Sequence, residues 1–435
     1  MERRLRRSLR LLDGLAMVVG ITVGSGIFRT PGLIAGRLGR PWLTFLAWIL
    51  GGVVSLIGAF IFAELSTRHP RAGGKYVYAG EAFGPRAAFA IGWLEVGIYC
   101  VAIAAIAVVC GEYLARLAGA SEALTRQLGA CFVLLLVGVN VAGVAFGRWT
   151  QNVASAAKVV ALTGVIAVSA LAGGGASWAS SSLPGAPTGL AVLGALALAF
   201  QPVLWTYYGY LDASKIAEEV VDPTRTLPRI FLWSIGLVTG LYLLLNAAFF
   251  NVLPLDRIAG SPLVAGDVMS RLFGAWAGSA TALLALIVVV ACLNANVFVT
   301  PRIVYGLARD GLGPRTLARV NPGGTPWAAT LLVGALSLLL AATGSFSRLL
   351  SLAILLILVT DGFMVIVLFR LRRREPTAPF RMPLYPWLPW LFLTIYLLLL
   401  VAGVVDQPVL ACVAVAALAA AYGIARIRPA RWMKP

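Results

Sequence analysis

Asp13–Ile34 reads DGLAMVVGITVGSGIFRTPGLI, an apolar stretch whose centre is Gly24-Ser25-Gly26 where good helix formers would continue a span. A membrane helix interrupted at mid-depth exposes backbone groups that lipid cannot satisfy, so such a break is expected to line a cavity. Two half-helix ends facing one cavity offer amide donors on one side and carbonyl acceptors on the other, a setting for a small charged solute. The stretch therefore predicts a broken first span and points toward transport.

Composition supports a membrane class. The 435 residues are 60% hydrophobic and only 12% charged, with a mean hydropathy of +0.90. That length holds about twelve spans of roughly 20 residues each. The basic start MERRLRRSLR precedes an apolar segment too long for a signal peptide and without a small-residue cleavage site, so it reads as a retained first span. Cys100, Cys110, Cys131, Cys292 and Cys412 all fall in apolar runs and imply no disulfide framework.

Spans are expected near 13–35, 42–66, 86–117, 125–146, 152–173, 189–211, 229–253, 270–307, 327–342, 346–369, 385–404 and 408–425. Most of the 35 Lys and Arg gather in alternate connections: the N-terminal arginines, Arg68–Arg86, Arg148 and Lys158, Lys215–Arg229, Arg302–Arg319, Arg370–Arg381 and Arg426–Lys434. By the positive-inside rule both termini are then cytoplasmic. The formal net charge of +18 reads as topology. Nucleic-acid binding would need that charge on one soluble face and is excluded.

A second interruption is expected in ALALAFQPVLWTYYGYLDASKIAEEV, where Tyr207-Tyr208-Gly209-Tyr210 separates an apolar half from a polar one. Two broken spans, one opening each half of the chain, point to inverted repeats around a midplane site. The bland alternative for the first break is helix packing through Gly20-xxx-Gly24.

GSGIF at Gly24–Phe28, ELSTRHPRAGGKYVYAGEAFG at Glu64–Gly84, EEVVDPTRTLPR at Glu218–Arg229 and PRIVYGLARDGLGP at Pro301–Pro314 together resemble the amino acid-polyamine-organocation (APC) superfamily of transporters, and within it the L-type amino-acid transporters and their bacterial relatives. The resemblance implies an all-α integral membrane protein of twelve transmembrane helices with a LeuT-type 5+5 inverted repeat and broken helices 1 and 6. The corresponding division is a cytoplasmic tail 1–12, repeats 13–175 and 189–370, two further spans in 385–425, and a tail 426–435.

An amino-acid zwitterion needs amide donors for its carboxylate, which Gly24, Ser25, Gly26 and Ile27 can offer at a helix start. Its ammonium needs carbonyls, available near Ile21 and Thr22 and from Pro202 to Trp205. By resemblance, Thr22, Ser25 and Gly26 match the substrate-contacting stretch and Trp205 an aromatic gate. Tyr208 departs from the family, whose L-type members often carry a small residue there; it either narrows the pocket or simply packs. Asn294, in ACLNANVFVTPR, matches a polar position near substrate, with interhelical hydrogen bonding as the alternative. Lys158, inside the fifth span, is either a functional intramembrane cation or a lysine snorkelling to the cytoplasmic surface. The resemblance favours the former, because sodium-independent members place a lysine where sodium-coupled ones hold the ion. Glu95 and Glu112 read as polar-network carboxylates; a cationic substrate would call for an acid inside the pocket and none stands out, Asp212 just after the second break being the one exception, so small neutral amino acids are the expected substrates.

No cofactor or metal is implied, since His69 is the sole histidine. Gly173-Gly174-Gly175 lacks the Lys-Ser/Thr of a phosphate loop. A channel would need a ring of filter residues that the sequence does not contain, and a membrane-embedded enzyme has only the cluster around Glu95 to build on. The segment His69–Gly84 is expected to form an inner gate, with Glu218 or Glu219 pairing Arg71 or Lys75 on closure. The loop Leu117–Arg126 has no cysteine for a covalent heavy-chain partner. Arginine greatly outnumbers lysine, a codon hint of a bacterial genome and hence of the cytoplasmic (inner) membrane. Amino-acid exchange and proton-coupled symport both remain open on the sequence.

Overall fold

The computed structural model describes residues 7, 9–71, 73–121, 124–142, 145–172, 182–343 and 345–427, with the backbone alone for 145–157. The Gly173–Gly175 stretch, part of the loop after the third span and most of both termini lie outside them. Sixteen α-helices follow in chain order: α1 Leu11–Thr22, α2 Ser25–Leu38, α3 Pro41–Arg68, α4 Lys75–Phe83, α5 Pro85–Ala118, α6 Thr125–Ala142, α7 Ala145–Leu171, α8 Ala191–Tyr207, α9 Pro223–Val252, α10 Leu255–Ala259, α11 Val264–Phe273, α12 Ala275–Arg309, α13 Trp327–Thr343, α14 Phe346–Arg374, α15 Trp387–Asp406 and α16 Pro408–Ile427. Among the described residues the sole β pairing is an isolated parallel bridge between Leu9 and Val220.

Local chemistry sets the boundaries. Prolines start α3, α5, α9 and α16, where the missing amide hydrogen costs nothing. Gly39 and Gly119, both left-handed, end α2 and α5. Gly274, at φ 85°, turns the chain between α11 and α12, so residues 270–273 belong to a separate helix and the eighth span begins later than the sequence reading placed it. The fifth span begins earlier, at Ala145.

Nine described helices are long and apolar enough to cross a membrane, ten if α1 and α2, bent by 47° at their junction, count as one. Residues Lys158–Leu171 of α7 and helix α13 are shorter apolar helices. Burial separates centre from rim: 94% of the apolar window of α5 is enclosed by protein, against 17% for α16. Two packing groups surround that centre. Helices α1, α2, α3, α8 and α9 pack on one another, while α5 packs on α6, α12, α13 and α14. The two interrupted segments belong to the first group.

Candidate functional site

Helix α1 ends at Thr22 and α2 restarts at Ser25, with Gly24 at φ −127°, ψ −146° between them and no side-chain cap. The first amides of α2, from Ser25, Gly26 and Ile27, have no intrahelical acceptor. At the other end of the break the carbonyls of α1 are partly claimed. Val19 accepts from the Val23 amide, Gly20 from the Lys158 ammonium at 3.0 Å, and Thr22 from the Tyr242 hydroxyl at 3.0 Å. Among the described contacts the Ile21 carbonyl is left open. The break therefore presents unsatisfied donors and an unsatisfied acceptor together.

The second interruption is an unwinding rather than a sharp bend. Helix α8 passes at Tyr207 into 3-10 turns over Tyr208–Ser214 and Ala217–Glu219. It packs directly against the first break: a Cβ on Gly209 would lie 2.5 Å from Thr22 Cα, and one on Gly26 would lie 3.0 Å from Thr206 Cα. Thr30 and Thr206 hydroxyls hydrogen bond at 2.9 Å, and Thr206 donates or shares its proton with the Pro202 carbonyl at 2.7 Å. Glycine is required at both points of contact because backbone meets backbone.

Polar layers bound this junction on either side. Toward one side, Trp205 meets Phe346 edge-on at 6.5 Å, the Arg29 guanidinium lies 5.7 Å from the Phe346 ring centre, and Arg29 pairs with Glu112 at 3.1 Å. Arg29 and Glu112 also line a cavity of about 1540 Å³ that carries Arg116, Arg126, Asp256 and Asp267 on its walls. Toward the other side, Lys75 of α4 binds Asp361 at 2.5 Å, the Tyr208 hydroxyl at 2.6 Å and Thr360 at 3.2 Å. Beside it Lys215 pairs with Asp212 at 2.6 Å and Glu95 at 3.7 Å, and Tyr99 donates to Asp212 at 2.6 Å. Three carboxylates and two ammonium groups thus sit in one cluster, buried except for the partly exposed Lys215, and Glu95 Oε2 has no hydrogen-bond partner among the described residues.

The sequence-derived residues can now be placed. Ile21, Thr22, Gly24, Ser25, Gly26 and Ile27 form the first break, and Pro202 and Trp205 lie on the last turns of α8. Lys158 does not snorkel. It lies thirteen residues into α7, roughly 20 Å from its start, is 1% exposed, and its amine reaches Gly20. Tyr208 turns its hydroxyl to Lys75. The Asn294 carboxamide oxygen accepts from Asn140 of α6 at 2.8 Å, an interhelical bond. The pairing expected of Lys75 with Glu218 or Glu219 is replaced by Asp361, which lies closer because α4 packs against α14; Arg71 pairs with Glu81. Sequence reading missed Tyr242, Thr206, Cys292 and Asp361. Cys292 Sγ would stand 2.8 Å from a Cβ on Gly24, so the sulfur closes the first break from the α12 side. Asp361 was legible as a lone acid in the apolar run LLILVTDGFMVIVLF; a single tyrosine or cysteine in a membrane helix carries no such signal.

Residues 9–425 match the family model described as amino acid permease. The chain belongs to that family. The permease is also 27% identical to the serine/threonine exchanger SteT of Bacillus subtilis over 397 residues, covering 89% of each chain. It is 28% identical to the mouse b(0,+)-type amino acid transporter 1, over 93% of this chain and 84% of that one, and 28% identical to the rat large neutral amino acids transporter small subunit 2, over 93% and 77%. It is therefore an L-type-like APC transporter, a multi-pass membrane protein and not an enzyme. Among the described residues no group of His, Cys, Asp and Glu is arranged to hold a metal.

Proposed function

We propose that this permease is a sodium-independent exchanger of small neutral L-amino acids. The observation that carries the reading is the Lys158 ammonium on the Gly20 carbonyl at the first break. A fixed cation there supplies the charge that a bound sodium ion would otherwise supply to a helix C-terminus. The free amides of Ser25, Gly26 and Ile27 suit the substrate carboxylate, and the open Ile21 carbonyl suits its ammonium. Pro202, Trp205 and Tyr208 complete the walls, and Asn294 stands behind them. Relatives named as a serine/threonine exchanger and as a large neutral amino acid transporter fit that substrate class.

In this reading the chain has twelve spans arranged as a LeuT-type 5+5 repeat, 13–175 and 189–370, followed by two spans in 385–425. Both termini are cytoplasmic, the membrane is the cytoplasmic (inner) one, and no covalent heavy chain is needed. The first packing group, α1, α2, α3, α8 and α9, rocks against α5, α6, α12 and α13. Substrate bound at the breaks draws Trp205, Phe346 and Arg29 over the outer path, and α4 with Lys75 guards the inner one. Alternating access then follows from differential contact with the two states.

A second reading, proton-coupled symport, draws support from the buried excess of carboxylate over ammonium at Glu95, Asp212 and Asp361. Sodium-free proteoliposomes separate the two. Uptake of labelled neutral amino acid only into vesicles preloaded with unlabelled amino acid is the exchanger's result. Uptake into empty vesicles that a protonophore abolishes is the symporter's.

A further inference from the structure

Far from the two breaks, a second cavity of about 370 Å³ lies between α5, α14 and α16 and the turn that follows α12. Phe89, Trp93 and Gly97 line it from α5 at a spacing of four residues, which puts them on one helix face. Ala417, Ala421 and Ile424 line it from α16 at spacings of four and three, and Leu356 of α14 closes its floor. Every one of its lining side chains is hydrocarbon or glycine except the Trp93 indole, whose N–H is already given to the Leu312 carbonyl at 2.9 Å. The groove has space to spare: a Cβ on Gly97 would meet nothing within 4 Å.

Its direction and its rim point to an occupant. Phe89 to Gly97 and Ile424 to Ala417 each cover roughly 10–12 Å of helix, so the groove runs from the start of α5 and the end of α16 toward the membrane interior. A helix with its side chains is about 10–12 Å across, too wide for a slot of this volume and length, whereas a single alkyl chain fits along it. At the mouth, Ile424 is 45% exposed. Three exposed arginines from three different elements flank that mouth in the chain: Arg86 one turn before Phe89, Arg315 next to Pro314, and Arg426 two residues beyond Ile424. Among the described residues none of the three pairs with a carboxylate, and Arg426 only lies over the Tyr422 ring at 5.0 Å.

We propose that this groove is a lipid site that takes one acyl chain of an anionic phospholipid, with the headgroup phosphate held by Arg86, Arg315 and Arg426. Arginine is suited to phosphate because its planar donors match the oxygens in pairs, and its stem lies along apolar surface while its head stays at headgroup depth. The chain in the groove joins α16, the least enclosed of the spans, to α5, the most enclosed. The site is independent of the substrate reading.

The test is photolabelling of the full-length protein in phosphatidylcholine vesicles doped with phosphatidylglycerol or phosphatidylcholine carrying a diazirine in one acyl chain, read by peptide mapping. Peptides covering 89–97 and 417–424 are expected to be labelled about fivefold or more over by the glycerol lipid than by the choline lipid, the scale of one arginine at an anionic headgroup. Peptides of α15 serve as the reference for membrane insertion and for lipid that merely surrounds the protein. Arg86→Gln, Arg315→Gln and Arg426→Gln combined should bring the ratio to about one, and Gly97→Leu, which fills the groove and keeps the arginines, should lower labelling by both lipids with α15 unchanged. Equal labelling by the two lipids in the parent, labelling no higher than on α15, or parental labelling in Gly97→Leu each overturns the site. Groove peptides left unlabelled while chemical cross-links join this face in two chains would place a second copy there and overturn it as well.

Discussion

The Lys158 ammonium caps the Gly20 carbonyl across 3.0 Å, joining α7 to the end of α1. A buried cation bonded to a helix C-terminus holds that end in place and neutralises its partial negative charge. Lys158→Met, which keeps the bulk and removes the charge, is expected to lower uptake roughly 10- to 100-fold, the scale of one charged hydrogen bond. Parent uptake is expected to be the same in sodium and choline buffers. Full activity in the methionine variant would show the amine to be dispensable.

The two glycines where the breaks meet are predicted to rank by clearance. A methyl on Gly209 meets Thr22 Cα and backbone nitrogen at 2.5 and 2.7 Å, whereas one on Gly26 meets Thr206 atoms at 2.9 to 3.0 Å. Overpacking of this kind costs about 1–3 kcal/mol, more where backbone rather than a side chain must yield. Gly209→Ala should abolish measurable uptake while Gly26→Ala retains part of it, with both variants inserted in the membrane at parental levels. The reverse order would mean that the contact is not the limiting one.

Lys75 and Asp361 form a pair that is 2% and 0% exposed at its side chains. Removing one partner of such a pair typically costs about 3–5 kcal/mol, while replacing both with apolar residues is often neutral. Lys75→Met and Asp361→Leu should each lower the thermal midpoint of the detergent-solubilised protein by several degrees, and the double variant should recover most of it. Additive losses in the double variant would assign the effect to packing rather than to charge.

Leu9 ties the start of the chain to the segment after α8: its amide donates to Glu219 at 3.0 Å and its carbonyl accepts from Val221 at 2.9 Å. Burial, with Glu218 alongside, raises the Glu219 carboxyl above the usual carboxylate range, against the opposing pull of Arg302. A raised acid pKa means that the fastened arrangement binds its proton more tightly than a released one. Fastening is therefore strongest at low pH and weakens as pH rises from the ordinary carboxylate range through the Glu219 pKa. Pulsed EPR distances between nitroxides at Arg7 and Asp222 should show the short population falling over that window. Glu219→Gln should flatten the dependence, and Val221→Pro, which removes the donor, should deplete the short population throughout. A short population that holds steady across the window in the parent would exclude the link to Glu219.

Much of the architecture was legible because a membrane writes it into one dimension. Lipid demands long apolar runs and tolerates a break only inside protein, so Gly24-Ser25-Gly26 and Tyr207–Tyr210 stood out without any knowledge of neighbours. The eighth span was misplaced at its start because MSRLFGAWAG is apolar enough to continue a helix, and only the φ of Gly274 interrupts it. The charged pairing of α4 was misassigned because proximity in sequence and charge sign do not say which helix lies alongside: Lys75 reaches Asp361, 286 residues away, rather than Glu218.

By itself the sequence determined the class of solvent, the positions of both breaks and the amides and carbonyls they would release, since these depend on hydropathy and on backbone groups that every residue carries. The tertiary structure decided who satisfies those groups. That Lys158 takes Gly20, that Tyr242 spans Thr22 and Thr206, and that Gly209 admits the chain against Thr22 are outcomes of helix packing at contacts of about 3 Å or less. Hydrogen bonds and steric exclusion act over such distances only, and pairs separated by tens or hundreds of residues come within them only when the helices have assembled.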